Sequence, residues 1–418
     1  MSDAADARRR FRRIAAAGVL FQAGAAAVDS ATIVATLVWG LTGSTFAVGA
    51  AAAIARCGWG APQIVVGYLA QRRQRRLGFY VVGAFGRVAA LAGVAALIAL
   101  AGARPGPAAI AAFFVLWTGY AFVSGVVAVP YNDIVARSVS SARRSRLLAL
   151  RFFGGGVLAL LVAALAARLI DDLAFPLGHA AMVAVAALLL LASALCFVSA
   201  GEPDAPLPAQ RDGGFGAYLR TGVAVFGSDR RLRLFVQAQW LAGATAMALP
   251  FYVLQAGAEP GGSSNVALWL GAQTAGALLS NPLCGWWGDA RGKRSLLQAT
   301  AVVGALAPLL TLGWLAGDRG TSGLVWFAIV FALLGAAGNG ATIAQLGYLM
   351  EISPDAQRPA YSGYFNALVA PATLLPLAGA AIAEFASPAA VFGIAALAAA
   401  LQLAATHRLR HFHTEANA

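Results

Sequence analysis

Four ionisable side chains lie deep inside long apolar stretches: Asp29, Arg56, Arg87 and Arg151. An ionised group in such a setting costs several kcal/mol unless it is paired or hydrated, so each is a candidate for binding or ion coupling. Asp29 is the only carboxylate well inside the first half, and its chemistry suits proton coupling or substrate binding. The structural alternative is an ion pair with Arg56 or Arg87. Arg56 has the charge to hold an anionic substrate group or to keep Asp29 ionised, while Arg87 reads as structural. The second half carries amides where the first carries charges: Gln237, Gln239, Gln273, Asn281, Asn339, Gln345 and Asn366. Amides hydrogen-bond neutral or zwitterionic solutes and also join helices to one another. Of these, Gln239, Gln273 and Asn366 are taken as substrate candidates. No catalytic constellation, metal-ligand spacing or Walker loop is present, which predicts no enzyme, no cofactor and no ATP-driven step. Cys57, Cys196 and Cys284 fall within or beside apolar segments, against a disulfide framework.

The elements that must position these groups follow from composition. The chain of 418 residues is 60% hydrophobic and 11% charged, too few charges for water to wet its surface, so the outer surface faces lipid. Spans of about 20 apolar residues fall near 14–41, 46–69, 78–101, 108–130, 147–170 and 179–200, then near 234–256, 265–287, 295–316, 323–349, 361–383 and 388–406. Pro250, and Pro371 with Pro376, are expected to bend the seventh and eleventh. The fold class is therefore all-α, with twelve transmembrane helices in two six-helix bundles, 1–200 and 234–418, joined by a cytoplasmic linker, 201–233. From Phe215 the stretch FGAYLRTGVAVFGSDRRLRLF reads as a short surface helix or as an extension of the seventh span. With both termini inside, 24 of the 30 Lys and Arg fall in inside segments; Arg104, Arg168 and Arg319 fall outside. That bias orients the chain. The net charge of +13 is spread through short clusters without an extended basic face, which argues against nucleic acid. The expected setting is a bacterial inner membrane, with the lipid bilayer as partner and a monomer as the unit.

A loop recurs at half-chain spacing. After the second span the sequence reads GYLAQRRQRR from Gly67, and after the eighth, 218 residues later, GWWGDARGKR from Gly285. Glycine is expected to allow close helix approach there, and the basic turn to pin the loop inside. Gly285, Asp289, Gly292, Lys293 and Arg294 resemble the loop motif of the major facilitator superfamily. Gly67, Arg72, Arg75 and Arg76 form a degenerate copy, with Gln71 and Gln74 in place of the acid and the glycine. The resemblance implies two bundles that expose a midplane site alternately to each side. Asp133 after the fourth span and Glu351 after the tenth are placed to latch the cytoplasmic side. Asp133 would pair with Arg72 or Arg75, and Glu351 with Arg294; Arg358 belongs to the same cytoplasmic set.

A narrower resemblance lies at Pro130, Tyr131, Arg151, Phe152 and Phe153, which look like the corresponding region of glycoside–pentoside–hexuronide:cation symporters. It implies that Arg151 contacts substrate and that Asp29 lies near a substrate-contacting acid; otherwise Arg151 snorkels to the interface. Trp59 and Gln63 stand where those symporters carry cation-binding acids, so a sodium site of that type is not expected. The resulting expectation is a secondary transporter of a small organic solute, coupled to H+. The alternatives are a non-transporting sensor or scaffold on the same fold, and a lipid or lysolipid translocator.

Overall fold

A computed structural model describes residues 2–70, 73–139, 141–203, 214–259, 265–317, 323–353 and 358–415. All regular elements among them are helical. Packing divides the chain into two compact units, residues 1–43 with 54–212, and 44–53 with 213–418.

The first unit contains α1 (Ser2–Ala27), α2 (Ile33–Thr42), most of α3 (Thr45–Ala70), α4 (Leu77–Ala101), α5 (Pro107–Ser138), α6 (Ser141–Asp172) and α7 (Leu177–Ala200). The second opens with α8 (Phe215–Ser228), α9 (Arg230–Ala246), α10 (Leu249–Gly257) and α11 (Val266–Ala290). It continues with α12 (Lys293–Ala316), α13 (Gly323–Ile352), α14 (Arg358–Val369), α15 (Leu375–Phe385) and α16 (Pro388–Glu415). Three of the twelve spans are interrupted: α1 with α2, α9 with α10, and α14 with α15 through a 3-10 turn at Ala370–Leu374. Pro250 opens α10, while Pro371 and Pro376 open the 3-10 turn and α15. A proline there removes a backbone donor from the helical ladder, which is why the seventh and eleventh spans break where expected.

The first span was expected as one helix over 14–41. It starts at Ser2 and breaks over residues 28–32, where no proline stands. The cause is Asp29, whose Oδ1 accepts the Ala31 N–H at 3.0 Å and the Thr32 hydroxyl at 2.8 Å. A short acid that satisfies backbone donors offers the chain an alternative to the helix. Upstream, Arg10 Nε donates to the Ala200 carbonyl at 3.1 Å, and Arg13 donates to the Ser199 carbonyl. Cations at the last carbonyls of α7 complement its dipole. The linker helix α8 is separate from the seventh span, because Asp229 ends it and caps α9, accepting from the N–H groups of Arg231 at 2.8 Å and Leu232 at 3.2 Å.

Both units repeat one packing plan. In the first, α1 packs on α7, and α4 packs on α5 and α7; in the second, α9 packs on α16, and α12 packs on α13 and α16. A glycine seam repeats as well. A Cβ at Gly58 of α3 would collide with Ala121 of α5, and one at Gly125 with the Gly58 carbonyl. In the second unit a Cβ at Gly276 of α11 would strike the Ala332 carbonyl of α13, and one at Gly335 the Gln273 carbonyl. Small residues let the two backbones approach closely at these crossings. Gly67 and Gly285, expected to serve that purpose, do not: an added Cβ at either meets nothing within 4 Å. In the second loop the conformational demand falls on Gly292 instead, whose φ of 84° at the start of α12 lies where a side chain is strained.

Candidate functional site

The break in the first span opens onto a cavity of about 190 Å³ in the first unit, lined by Asp29, Trp59, Trp117, Tyr120 and Ser124 among others. The rings of Trp117 and Tyr120 stack at 4.9 Å, and Trp59 meets Phe21 of α1 at 6.2 Å. Ser124 is held by the Tyr120 carbonyl at 2.7 Å. The cavity thus combines aromatic walls with one carboxylate, a setting for a small organic group held at one polar end. Arg56 on α3 is half-buried and lies within electrostatic reach of Asp29. Of the two cations expected near Asp29, Arg56 is the one within electrostatic reach. Gln63, which replaces a cation-binding acid, donates to the Trp59 carbonyl at 2.7 Å.

Arg87 does not approach Asp29. It is 1% exposed on α4, with its guanidinium carbon 5.0 Å from the centre of the Phe21 ring, and Tyr80 and Tyr120 are its electrostatic neighbours. Its Nε and Nη1 have no hydrogen-bond partner among the described residues. Arg151 was expected about one turn into its helix, but α6 begins at Ser141 and places it nearly three turns in. Its stem lies along Gly18 of α1, where a Cβ would come within 2.8 Å of Cγ. Its head reaches Phe21, one turn further along α1, at 5.5 Å from the ring centre, and Tyr131 at 5.2 Å. The Tyr131 hydroxyl accepts from Nη1 at a long 3.4 Å, and Nε is without a partner among the described residues. A cation on an aromatic face gains about 0.5–2 kcal/mol, against roughly 2.5–3.5 kcal/mol for placing one arginine at the centre of a span. The aromatic contacts leave the Arg87 guanidinium, midway along α4, undercompensated; Arg151 lies at the start of the apolar stretch Leu150–Asp172.

The amides of the second unit behave differently. Asn339 on α13 donates to Asn281 Oδ1 on α11 at 2.9 Å and to Ser280 Oγ at 3.4 Å, joining two helices. Gln239 is buried on α9, and Gln273 and Asn366 are half-buried; Gln273 Oε1 lacks a partner among the described residues. Among the described residues, no contact draws Gln239, Gln273 and Asn366 into one constellation.

At the end of the first unit that carries the first basic loop, Asp133 does form ion pairs, with partners other than those expected. Arg76 pairs with its Oδ1, and Arg137 donates to Oδ2 at 2.5 and 2.8 Å. Arg75 is exposed, and Arg72 lies outside the described residues. Glu202, read from sequence as part of an irregular linker, completes the cluster. It accepts from Arg137 at 2.6 Å and from the N–H groups of Arg76 and Leu77 at 2.9 Å each. Burial alone would raise the Glu202 carboxyl, but these donors outweigh it and hold the group below the usual carboxylate range. The only sequence signal for it was an acid immediately after the sixth span.

The corresponding end of the second unit is built without that cluster. Arg294 donates to the Leu409 carbonyl at 3.2 Å, Glu351 is exposed, and no ion pair joins the two among the described residues. Lys293 runs between Gly288 and Gly347. Asp229 accepts the Tyr361 hydroxyl at 2.9 Å. The side chains of Asp289 and Arg358 lie outside the described ones.

Residues 241–411 match the model of the Major Facilitator Superfamily. No curated protein matches the sequence. The fold is shared with solved transporters of that architecture at low identity. A mutant of the nucleoside transporter NupG is 13% identical over 96% of this chain and 99% of its own, with a TM-score of 0.72. A POT family transporter in complex with 5-aminolevulinic acid is 10% identical over 97% and 96%, with a TM-score of 0.73. A bacterial homologue of the iron transporter ferroportin, in an outward-facing state, is 13% identical over 96% and 99%, with a TM-score of 0.66. At these identities the likeness defines the major facilitator fold and leaves chemistry to the site.

Proposed function

We propose that the chain is a secondary active transporter that moves a small organic solute by alternating access, coupled to H+ through Asp29. The observation that carries this reading is the cavity at the break in the first span, where a carboxylate faces aromatic walls in a fold shared with solute transporters. Asp29 Oδ1 accepts two local hydrogen bonds, and Arg56 is close enough to weaken or strengthen its hold on a proton as it moves. Arg151, Gln239, Gln273 and Asn366 are the further substrate candidates. The reading also places the protein as a monomer in a bacterial inner membrane with both termini cytoplasmic, supported by the basic-residue bias. It keeps 1–200, 201–233 and 234–418 as bundle, linker and bundle. The resemblance to glycoside–pentoside–hexuronide:cation symporters supports symport.

The test is uptake into proteoliposomes with an imposed proton or sodium gradient. Uptake driven by the proton gradient, and lost with its pH dependence in Asp29→Asn, is the expected result. Uptake indifferent to both gradients removes the coupling claim, and binding without flux favours a sensor or scaffold. Movement of labelled lysophospholipid in place of water-soluble solutes favours a lipid translocator.

A further inference from the structure

We infer that Arg87 and Arg151 form an oxyanion subsite, so that the solute carries a carboxylate or phosphate group. This rests on the transport reading for the word solute, and on the two arginines alone for the word anion.

Both guanidinium carbons lie within 5.5 Å of the centre of one ring, Phe21. Two like charges gathered on one aromatic side chain inside a bilayer call for a countercharge. The one carboxylate of the neighbouring cavity, Asp29, lies in electrostatic reach of Arg56, while the neighbours recorded for Arg87 are tyrosines. Arg87 is almost wholly buried with two donors unused, and Arg151 has a third among the described residues. Fixed guanidinium donors are the fork that a carboxylate or phosphate accepts. Tyr131 adds a hydroxyl beside Arg151. The site adjoins the cavity by two routes. Phe21 touches Trp59 of the cavity wall, and Tyr120 of that wall is an electrostatic neighbour of Arg87. An anionic head on the arginines would therefore carry its organic body among Trp59, Trp117 and Tyr120.

The experiment is a binding titration of the full chain in nanodiscs of neutral phosphatidylcholine, read by calorimetry and thermal shift. The soluble arm uses succinate and inorganic phosphate, with uncharged succinamide as control. The lipid arm uses lysophosphatidylglycerol against lysophosphatidylcholine. Binding of an anionic probe without its neutral analogue is expected, weakened about tenfold or more in Arg87→Gln and in Arg151→Gln. Arg104→Gln, on an exposed loop, is expected to bind as wild type. Success in one arm alone supports the subsite and says whether its anion is a free solute or a lipid headgroup. Equal binding of the neutral analogue, no binding of any anion, or full affinity in both glutamine variants overturns it. Should those variants fail to fold, Arg87→Lys and Arg151→Lys keep the charge and lose the fork; weaker binding supports the subsite and unchanged affinity overturns it. Anion binding without flux leaves the subsite standing and removes the transport reading, while flux of neutral solutes without anion binding does the reverse.

Discussion

In the first unit the polar groups inside the spans carry full charges, whereas in the second they are amides and hydroxyls. Asp29, Arg56, Arg87 and Arg151 have no charged counterparts among Gln239, Gln273, Asn281, Asn339 and Asn366. Yet the helices of both units pack in the same pairs, and both close a glycine seam at the same crossing. The architecture evidently does not need the charges, since one unit is built without them. What the difference teaches is where to look for chemistry: in the half that bears the cost of buried ions.

This contrast can be broken at several strengths. The largest effect is expected where the halves agree. Gly125→Val and Gly335→Val each drive a side chain into a facing carbonyl and should cost about 3 kcal/mol or more, read as loss of monodisperse protein in detergent. A strong loss in one half only would end the idea of a shared seam. Next comes the ionic end of the first unit. Glu202→Gln removes charge-assisted bonds to Arg137, Arg76 and Leu77 and should cost about 1.5–3 kcal/mol in thermal stability. Because the folded carboxyl sits below its unfolded value, its contribution is full above about pH 4.3. It is lost as pH falls through the folded value, and the variant should flatten that acid limb.

Tyr361→Phe, at the corresponding end of the second unit, should cost about 1 kcal/mol. A melting temperature that the variant leaves unchanged would remove the assignment. The smallest effect is Asn339→Ala, about 0.6 kcal/mol, with solute uptake unchanged; a large transport defect would move the chemistry into the second half.

Much of the fold was legible because a bilayer imposes long apolar runs and confines basic residues to one side. Eight spans are long apolar helical stretches; the other four are the first and second of each half. The first and seventh are broken, at Asp29 and before Pro250, while the second and eighth carry Arg56 and Gln273. The break at Asp29 was harder to see, since no proline marks it and the side chain there bonds to residues two and three positions further on. The pairing of Asp133 was misassigned among adjacent arginines, because spacing alone does not say which guanidinium faces inward. Glu202 was missed because its partners lie 65 and 126 residues away. Arg87 was read as structural because nothing in a linear sequence shows that a buried arginine has gone without an acid.

The hold of Arg10 on Ala200 sets an order of events during synthesis. The arginine emerges 190 residues before the carbonyl it will clasp, roughly ten to forty seconds ahead at 5–20 residues per second. Until the end of α7 leaves the ribosome the N-terminus is a loose thread, and once it does, the first bundle can be tied shut before the eighth span has been made.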